Sequence, residues 1–257
     1  MEGYEVIVYP LVFLYGILIG SFLNVCIYRI PKHESIVTVP SHCMSCGYGL
    51  KWFELIPVFS WLCLGGKCRR CGERISAQYP LVEALNGILW FGIIFLRGLT
   101  VEGILYCLLA SALLVIAVID FRTYEIPFGC NVFIFFLGAV RLCTDLEHWA
   151  AYVVGFFLVS GLFLLAGWFS LKVFQKDGMG GGDIKLMAAA GLLLGGPKIF
   201  LAMLLGCVLA VVIHTIRMVV AKEDHRLAFG PYLAAGVLLS VVFGDAVIDW
   251  YLGLLRG

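Results

Sequence analysis

Apolar residues run through this chain in eight long blocks with little internal alternation. The blocks cover roughly residues 8–28, 80–97, 102–119, 127–142, 149–171, 184–195, 197–219 and 229–252. Continuous apolar runs of this length predict helices rather than half-buried strands. Most approach the ~20 residues a helix needs to cross the hydrocarbon core of a bilayer. Lipid offers backbone groups no hydrogen-bond partner, so helices are the spanning form that fits such runs. The sixth block is short: either it shares its crossing with flanking residues, or it enters only part of the bilayer. Polar residues gather mainly between 29 and 79, the one sizeable soluble excursion.

Composition agrees with the pattern. Of 257 residues, 62% are hydrophobic and only 14% charged, whereas soluble domains are about half apolar and about a quarter charged. The reading is an all-α, polytopic membrane helix bundle of about eight spans with a small cytoplasmic loop domain. The first block follows an acidic start, "MEGYEVIVYP", with no basic n-region and no small-residue cleavage site after it. A retained span is therefore expected rather than a signal peptide. The net charge of +1 says nothing about partners, but its placement does. With eight crossings, one side receives 29–79, 120–126, 172–183 and 220–228. Counting Lys185 and Arg217 at span ends, that side holds 14 of the 18 Lys and Arg residues. The excess of basic residues predicts that 29–79 is cytoplasmic and that both termini lie outside. No internal repeat or low-complexity tract is visible.

The 29–79 segment is too small to fold on an apolar core alone, and chains of about 40 residues usually need a metal, a disulfide or a partner. Two C-x-x-C pairs supply candidates, Cys43 with Cys46 and Cys68 with Cys71, each followed at once by a glycine, Gly47 and Gly72. A two-residue gap lets both thiolates face one ion, and the glycine lets the backbone take positive φ. Four thiolates in this arrangement predict a closed, structural zinc site. Two disulfides or unpaired thiols are the alternatives, and a cytoplasmic position disfavours the first. The other six cysteines are scattered singly. Five lie in or beside spans, where cysteine behaves as a small hydrophobe.

Two acids stand at span ends predicted to share one depth. Asp120, in "VIDFRTYEIP", closes the third span, and Asp183, in "GMGGGDIK", opens the sixth. Ionisable residues near spans are functional candidates by default. Two carboxylates sharing a low-dielectric site do not readily both ionise. One can then take a proton from water while the protonated partner polarises a carbonyl, as in aspartic proteases. The glycines Gly180 to Gly182 would let an extended substrate pass close to the backbone and would permit a mobile loop. Each acid alone also has a plain reading, Asp183 as a helix cap and Asp120 as a span end beside Arg122. Asp177, Asp224 and Glu125 read as solvated loop charges. Asp145, Glu147 and Asp249 fall on the opposite side. His214 and His225 are lone histidines near a span end.

These residues, taken in order, resemble the type IV prepilin peptidases, bifunctional leader peptidase/N-methyltransferases, over nearly the whole chain. The resemblance is carried by "GSFLNVCIYRIP" (20–31), the bracketed linker "WFELIPVFSWLCLGGKC" (52–68), "ISAQYPLVEALNG" (75–87), "IDFRTYEIP" (119–127), "GGGDIKL" (180–186) and "AFGPYLAAG" (228–236). One departure is Phe128, where the family often has an aspartate. The resemblance implies that Asp120 and Asp183 are catalytic and cut a basic leader from prepilins or pseudopilins at the cytoplasmic face, typically after glycine. It further implies transfer of a methyl group from S-adenosylmethionine to the new N-terminal amine. It divides the chain into a first span (1–28), a four-cysteine zinc-binding loop linked to N-methylation (29–79) and a membrane aspartic peptidase domain (80–257). Archaeal preflagellin peptidases share the two aspartates but lack the loop, so its presence favours the bifunctional bacterial type. Glu83 and Asn86, beside the loop, are candidates for contacting the amine, with a polar span-end anchor the equal alternative for Glu83. No Rossmann-type G-x-G-x-x-G follows a strand. The expected setting is the inner cell membrane in a pilus or secretion system, with prepilin substrates and lipid as partners and no nucleic acid.

Two other classes compete. A transporter with a zinc-stabilised loop would place its acids at the bilayer midplane and carry an internal repeat. A non-enzymatic scaffold would leave the Gly-Gly-Gly-Asp and its partner acid without a role.

Overall fold

The computed structural model describes residues 5–175, 178–221 and 227–256. Lys176, Asp177, Lys222, Asp224, His225 and Arg226, which enter the charge reading above, lie outside the described residues. Among the described residues the chain is helical, with no strand and two isolated β-bridges. Nine α-helices follow in order: α1 (Glu5–Arg29), α2 (Phe59–Cys63), α3 (Gln78–Arg97), α4 (Val101–Thr123), α5 (Phe128–Thr144), α6 (Trp149–Phe174), α7 (Gly181–Leu194), α8 (Gly196–Ala221) and α9 (Gly230–Arg256).

Every apolar block forms a helix, and α2 is a single turn inside the loop. Six helices, α1, α3, α4, α6, α8 and α9, are long and apolar enough to cross a membrane. The other two fall short of ~20 residues: α5 has 17 and α7 has 14. The sixth block is thus short as expected, and the fourth is short as well. Large apolar side chains face outward along the long helices, among them Leu165, Val211 and Phe243, all more than half exposed. In water such a surface would aggregate; against lipid it is solvated. The protein is an integral membrane protein.

Two compact units divide the chain, Met1–Val115 and Ile116–Gly257, with the boundary inside α4. In the first, α1 and α3 pack closely because small residues meet at the crossing. A side chain on Gly20 would place its Cβ 2.7 Å from the Cα of Glu83. A buried polar chain pins the same helices to α4. The Asn86 amide donates to the Gly16 carbonyl at 2.7 Å and accepts from the Ser111 hydroxyl at 2.8 Å, while the Trp90 indole donates to Ser111 at 2.9 Å.

The second unit is built around α7. Its residues Leu186, Met187, Ala190 and Leu193 have no exposed surface, and α7 packs on α5 and α6. Local chemistry sets its ends. The C-cap Gly195 takes φ 80°, a value glycine adopts without penalty, and Pro197 then opens α8, where a missing N–H costs nothing. At the end of α4, Tyr124 takes φ 57° and its N–H closes on the Asp120 carbonyl at 2.8 Å. Pro127 then starts α5. The α4–α5 turn and the start of α7 are thereby neighbours, since a side chain on Gly182 would meet Ile126 at 3.0 Å.

Candidate active site and cysteine cluster

Asp120 sits in the last turn of α4 with 4% of its surface exposed. Such a carboxylate needs partners. One is the backbone N–H of Gly230, the first residue of α9, which donates to Asp120 Oδ2 at 2.9 Å. The glycine is required by space: a Cβ there would lie 2.7 Å from Oδ2 and 3.0 Å from Cγ. Sequence reading placed "AFGPYLAAG" only by resemblance, and its chemical role appears in this contact. The N–H engages Oδ2 and leaves Oδ1 for a shared proton or a water.

Asp183 is the third residue of α7. The helix cap is Gly180, which makes no side-chain cap hydrogen bond, so Asp183 is not the N-cap. Its own N–H returns to the Gly180 carbonyl at 3.1 Å, and a Cβ on Gly180 would stand 2.6 Å from Asp183 Oδ2. The start of α7, which carries Asp183, lies beside the turn that follows Asp120, where Gly182 faces Ile126. The first glycine of the run thus makes room for the Asp183 carboxylate itself, and the third makes room for the α4–α5 turn.

Two side chains of α5, Asn131 and Phe128, reach the start of α7. Asn131 on α5 is 4% exposed, and its amide donates to the Gly182 carbonyl at 3.4 Å. Its Oδ1 is buried with no hydrogen-bond partner among the described residues. Nothing in the sequence singled it out, because one Asn in an apolar block carries no spacing signal. Phe128, the departure noted above, lies under the Lys185 ammonium, 5.3 Å from ring centre. Glu125 is exposed. Asp145 is engaged elsewhere, accepting from the Tyr152 hydroxyl at 2.6 Å and meeting His148 Nδ1 at 2.9 Å.

The four cysteines of the loop converge. Their sulfurs all lie within 4.8 Å of one another, with Cys43 and Cys71 at 3.8 Å. Zinc–sulfur bonds of about 2.3 Å in a tetrahedron put sulfurs about 3.8 Å apart, so the cage has the size of the metal. All ten cysteines are free thiols. The two halves are alike. The Gly47 N–H returns to Cys43 O and the Gly72 N–H to Cys68 O, both at 2.9 Å, with φ of 68° and 74°. Backbone N–H groups of Cys46 and Ser45 point at Cys43 and bring its thiol down to about 6. The Glu73 N–H lowers Cys71, yet lost solvation and the neighbouring thiols drive it up to about 12. Four sulfurs this close cannot all ionise without a cation among them.

Glu83 and Asn86 both lie buried on α3, 6% and 0% exposed. The Glu83 carboxylate accepts the N–H of Val58 in the loop at 2.7 Å. The Asn86 amide is occupied at both ends by Gly16 and Ser111. The remaining single cysteines form no cluster among the described residues.

The fold and site define a helical membrane protein with a carboxylate pair at helix ends and a metal-sized thiol cage on a loop. Comparison with known proteins gives the family. The model for the bacterial peptidase A24 N-terminal domain matches residues 14–97, and that for the type IV leader peptidase family matches residues 107–215. A prepilin leader peptidase/N-methyltransferase of Bacillus subtilis is 34% identical, covering 96% of this chain and 99% of that protein. One from Xanthomonas campestris is also 34% identical, over 92% of each chain. One from Aeromonas salmonicida is 31% identical over 99% of this chain and 97% of its own. No solved structure matches. The chain belongs to the prepilin leader peptidase/N-methyltransferase family, and is a peptidase and methyltransferase.

Proposed function

We propose that this enzyme cuts the leader from type IV prepilins or pseudopilins with Asp120 and Asp183, then methylates the new N-terminus. The observation that carries the reading is that the turn after α4 and the start of α7 are neighbours through Ile126 and Gly182, with Asp120 held by the Gly230 N–H and Gly180 leaving room for the Asp183 carboxylate. One carboxylate takes a proton from water as the water adds to the scissile carbonyl, and the protonated partner supports the developing oxyanion. The departing amine then receives a proton from the pair. Asn131, with a buried and unsatisfied oxygen beside Gly182, can accept an N–H of the extended substrate.

Topology supports the same reading. The excess of Lys and Arg puts the 29–79 loop, Asp120 and Asp183 on the cytoplasmic side and both termini outside. A substrate whose apolar helix stays in the bilayer, with its basic leader in the cytoplasm, delivers the scissile bond to that depth. The setting is the inner cell membrane. Residues 80–257 form the peptidase domain, after the first span of 1–28.

Cys43, Cys46, Cys68 and Cys71 hold a structural zinc, which closes the 29–79 loop and leaves no open coordination position. We assign methyl transfer to this loop, with S-adenosylmethionine as the methyl-donating co-substrate. The test is mass spectrometry of a prepilin N-terminus after incubation with the purified enzyme, with and without S-adenosylmethionine. Cleavage in both samples, with a methyl group added only in the second, is expected. An unprocessed leader in both would refute the reading.

A further inference from the structure

The loop contains a turn that its own sequence does not favour. Val58 occupies φ 61°, ψ −53°, and the Phe59 N–H reaches back to the Pro57 carbonyl at 2.6 Å. This is a γ-turn with positive φ at its centre, the rare and strained form. A β-branched residue is among the least suited to that region, whereas glycine would occupy it freely. Such a conformation persists only where the surroundings over-determine it.

The surroundings here come from the membrane part of the same unit. Glu83 Oε2 accepts the Val58 N–H at 2.7 Å, across 25 residues of sequence. Glu83 is buried on α3, its backbone set against Gly20, and the Ser21 side chain hydrogen-bonds it as well. A hydrogen bond in a dry site is strong, and costly to leave unmade. It fixes the turn at the one N–H that the γ-turn leaves pointing outward.

The turn leads directly to the thiol cage. Val58 is the N-cap of α2. From α2 the Trp61 indole donates to the Ile75 carbonyl at 3.1 Å, and the Gly66 carbonyl receives the Ile75 N–H at 2.7 Å. Cys68 and Cys71 lie within that closed segment. The other limb of the loop is anchored from α1: Arg29, at its end, donates to the carbonyls of Ser35, Val39 and Pro40.

We propose that Glu83 is a positioning residue for methyl transfer, a latch in the membrane helix that holds the strained Val58 turn and so fixes the cysteine module against α3. The proposal rests on the assignment of methyl transfer to the 29–79 loop. The carboxylate acts through the loop and does not touch substrate.

Four full-length variants test it: Glu83→Ala, Glu83→Gln, Val58→Gly and the Glu83→Ala/Val58→Gly double. Two readouts are independent of catalysis: amide hydrogen exchange over 56–63, and zinc release to a chelator. Cleavage and methylation are scored separately. Glu83→Ala should raise exchange and zinc release roughly ten- to a hundredfold, the effect of leaving a buried N–H without its acceptor. It should lower the kcat of methyl transfer and leave cleavage unchanged. Glu83→Gln keeps an acceptor oxygen and should stay within a few-fold of the parent. Val58→Gly removes the strain, so the double variant should recover most of the lost protection. Unchanged exchange and zinc release in Glu83→Ala, or no recovery in the double variant, would overturn the latch. Equal loss of methylation in the Gln and Ala variants with intact exchange would assign the charge to the substrate amine and overturn it too. If the parent enzyme transfers no methyl group, the functional reading fails, while exchange and zinc release still decide the latch.

Discussion

Replacing Gly230 with alanine should disable cleavage without unfolding the protein. The added Cβ would stand 2.7 Å from Asp120 Oδ2, 3.0 Å from Cγ and 3.2 Å from the Asp120 Cβ. Ordinary contact begins near 3.4 Å, so the carboxylate oxygen must retreat by 3.4 − 2.7 = 0.7 Å. That movement takes it from the N–H it meets at 2.9 Å. Losing a hydrogen bond to a charged group costs about 1.5–3 kcal/mol. Misplacing a catalytic group by about 1 Å costs on the order of a hundredfold. Both point to a fall in kcat/KM of roughly 30- to 100-fold. Opposing this, alanine favours a helix over glycine by about 1 kcal/mol, so the melting temperature should change little. The control is Gly253→Ala in the same helix, where a Cβ meets nothing within 4 Å. The assay is cleavage of a prepilin in detergent or nanodiscs, with thermal melting of each variant. Cleavage by Gly230→Ala within about twofold of the control would refute the claim that this N–H positions Asp120.

Asp120→Asn and Asp183→Asn should each abolish cleavage in a protein that still inserts and folds, and the double variant should be no worse than either; substantial cleavage by one single variant would break the pairing. Metal analysis should find about one zinc per chain, and Cys43→Ser/Cys46→Ser should lose it and lower methylation more than cleavage, since the loop depends on its metal while the spans do not. Full methylation of cleaved pilin by the zinc-free protein would remove the loop from the methyl-transfer site. Asp145 is held below the usual carboxylate range, first by the Tyr152 hydroxyl and then by His148. A depressed folded value means stability present above the unfolded value and lost as pH falls through the lowered one. Asp145→Asn should therefore flatten the acid side of the melting profile, and an unchanged acid limb would show the cluster to be neutral.

Hydrophobic pattern alone marked the six long helices and the two shorter ones, α5 and α7, because an apolar run that enters lipid must satisfy its own backbone groups, which a helix does. The thiol cage was equally legible: C-x-x-C-G is a local device whose geometry is set within five residues, as the matching turns at Gly47 and Gly72 show. Asp120 and Asp183 stood out as acids beside apolar runs. What tertiary structure alone decided lies between elements. Gly230 touches Asp120 across 110 residues, Asn131 meets Gly182 across 51 and Glu83 holds Val58 across 25. Nothing in the composition of those segments encodes such partners, since each is one polar group or one glycine in an apolar run. The cap role left open for Asp183 was likewise settled by backbone position, which put Gly180 at the cap. Local periodicity specifies elements because it acts within one helix turn, whereas the active site depends on which buried polar atoms are left facing one another once the helices have packed.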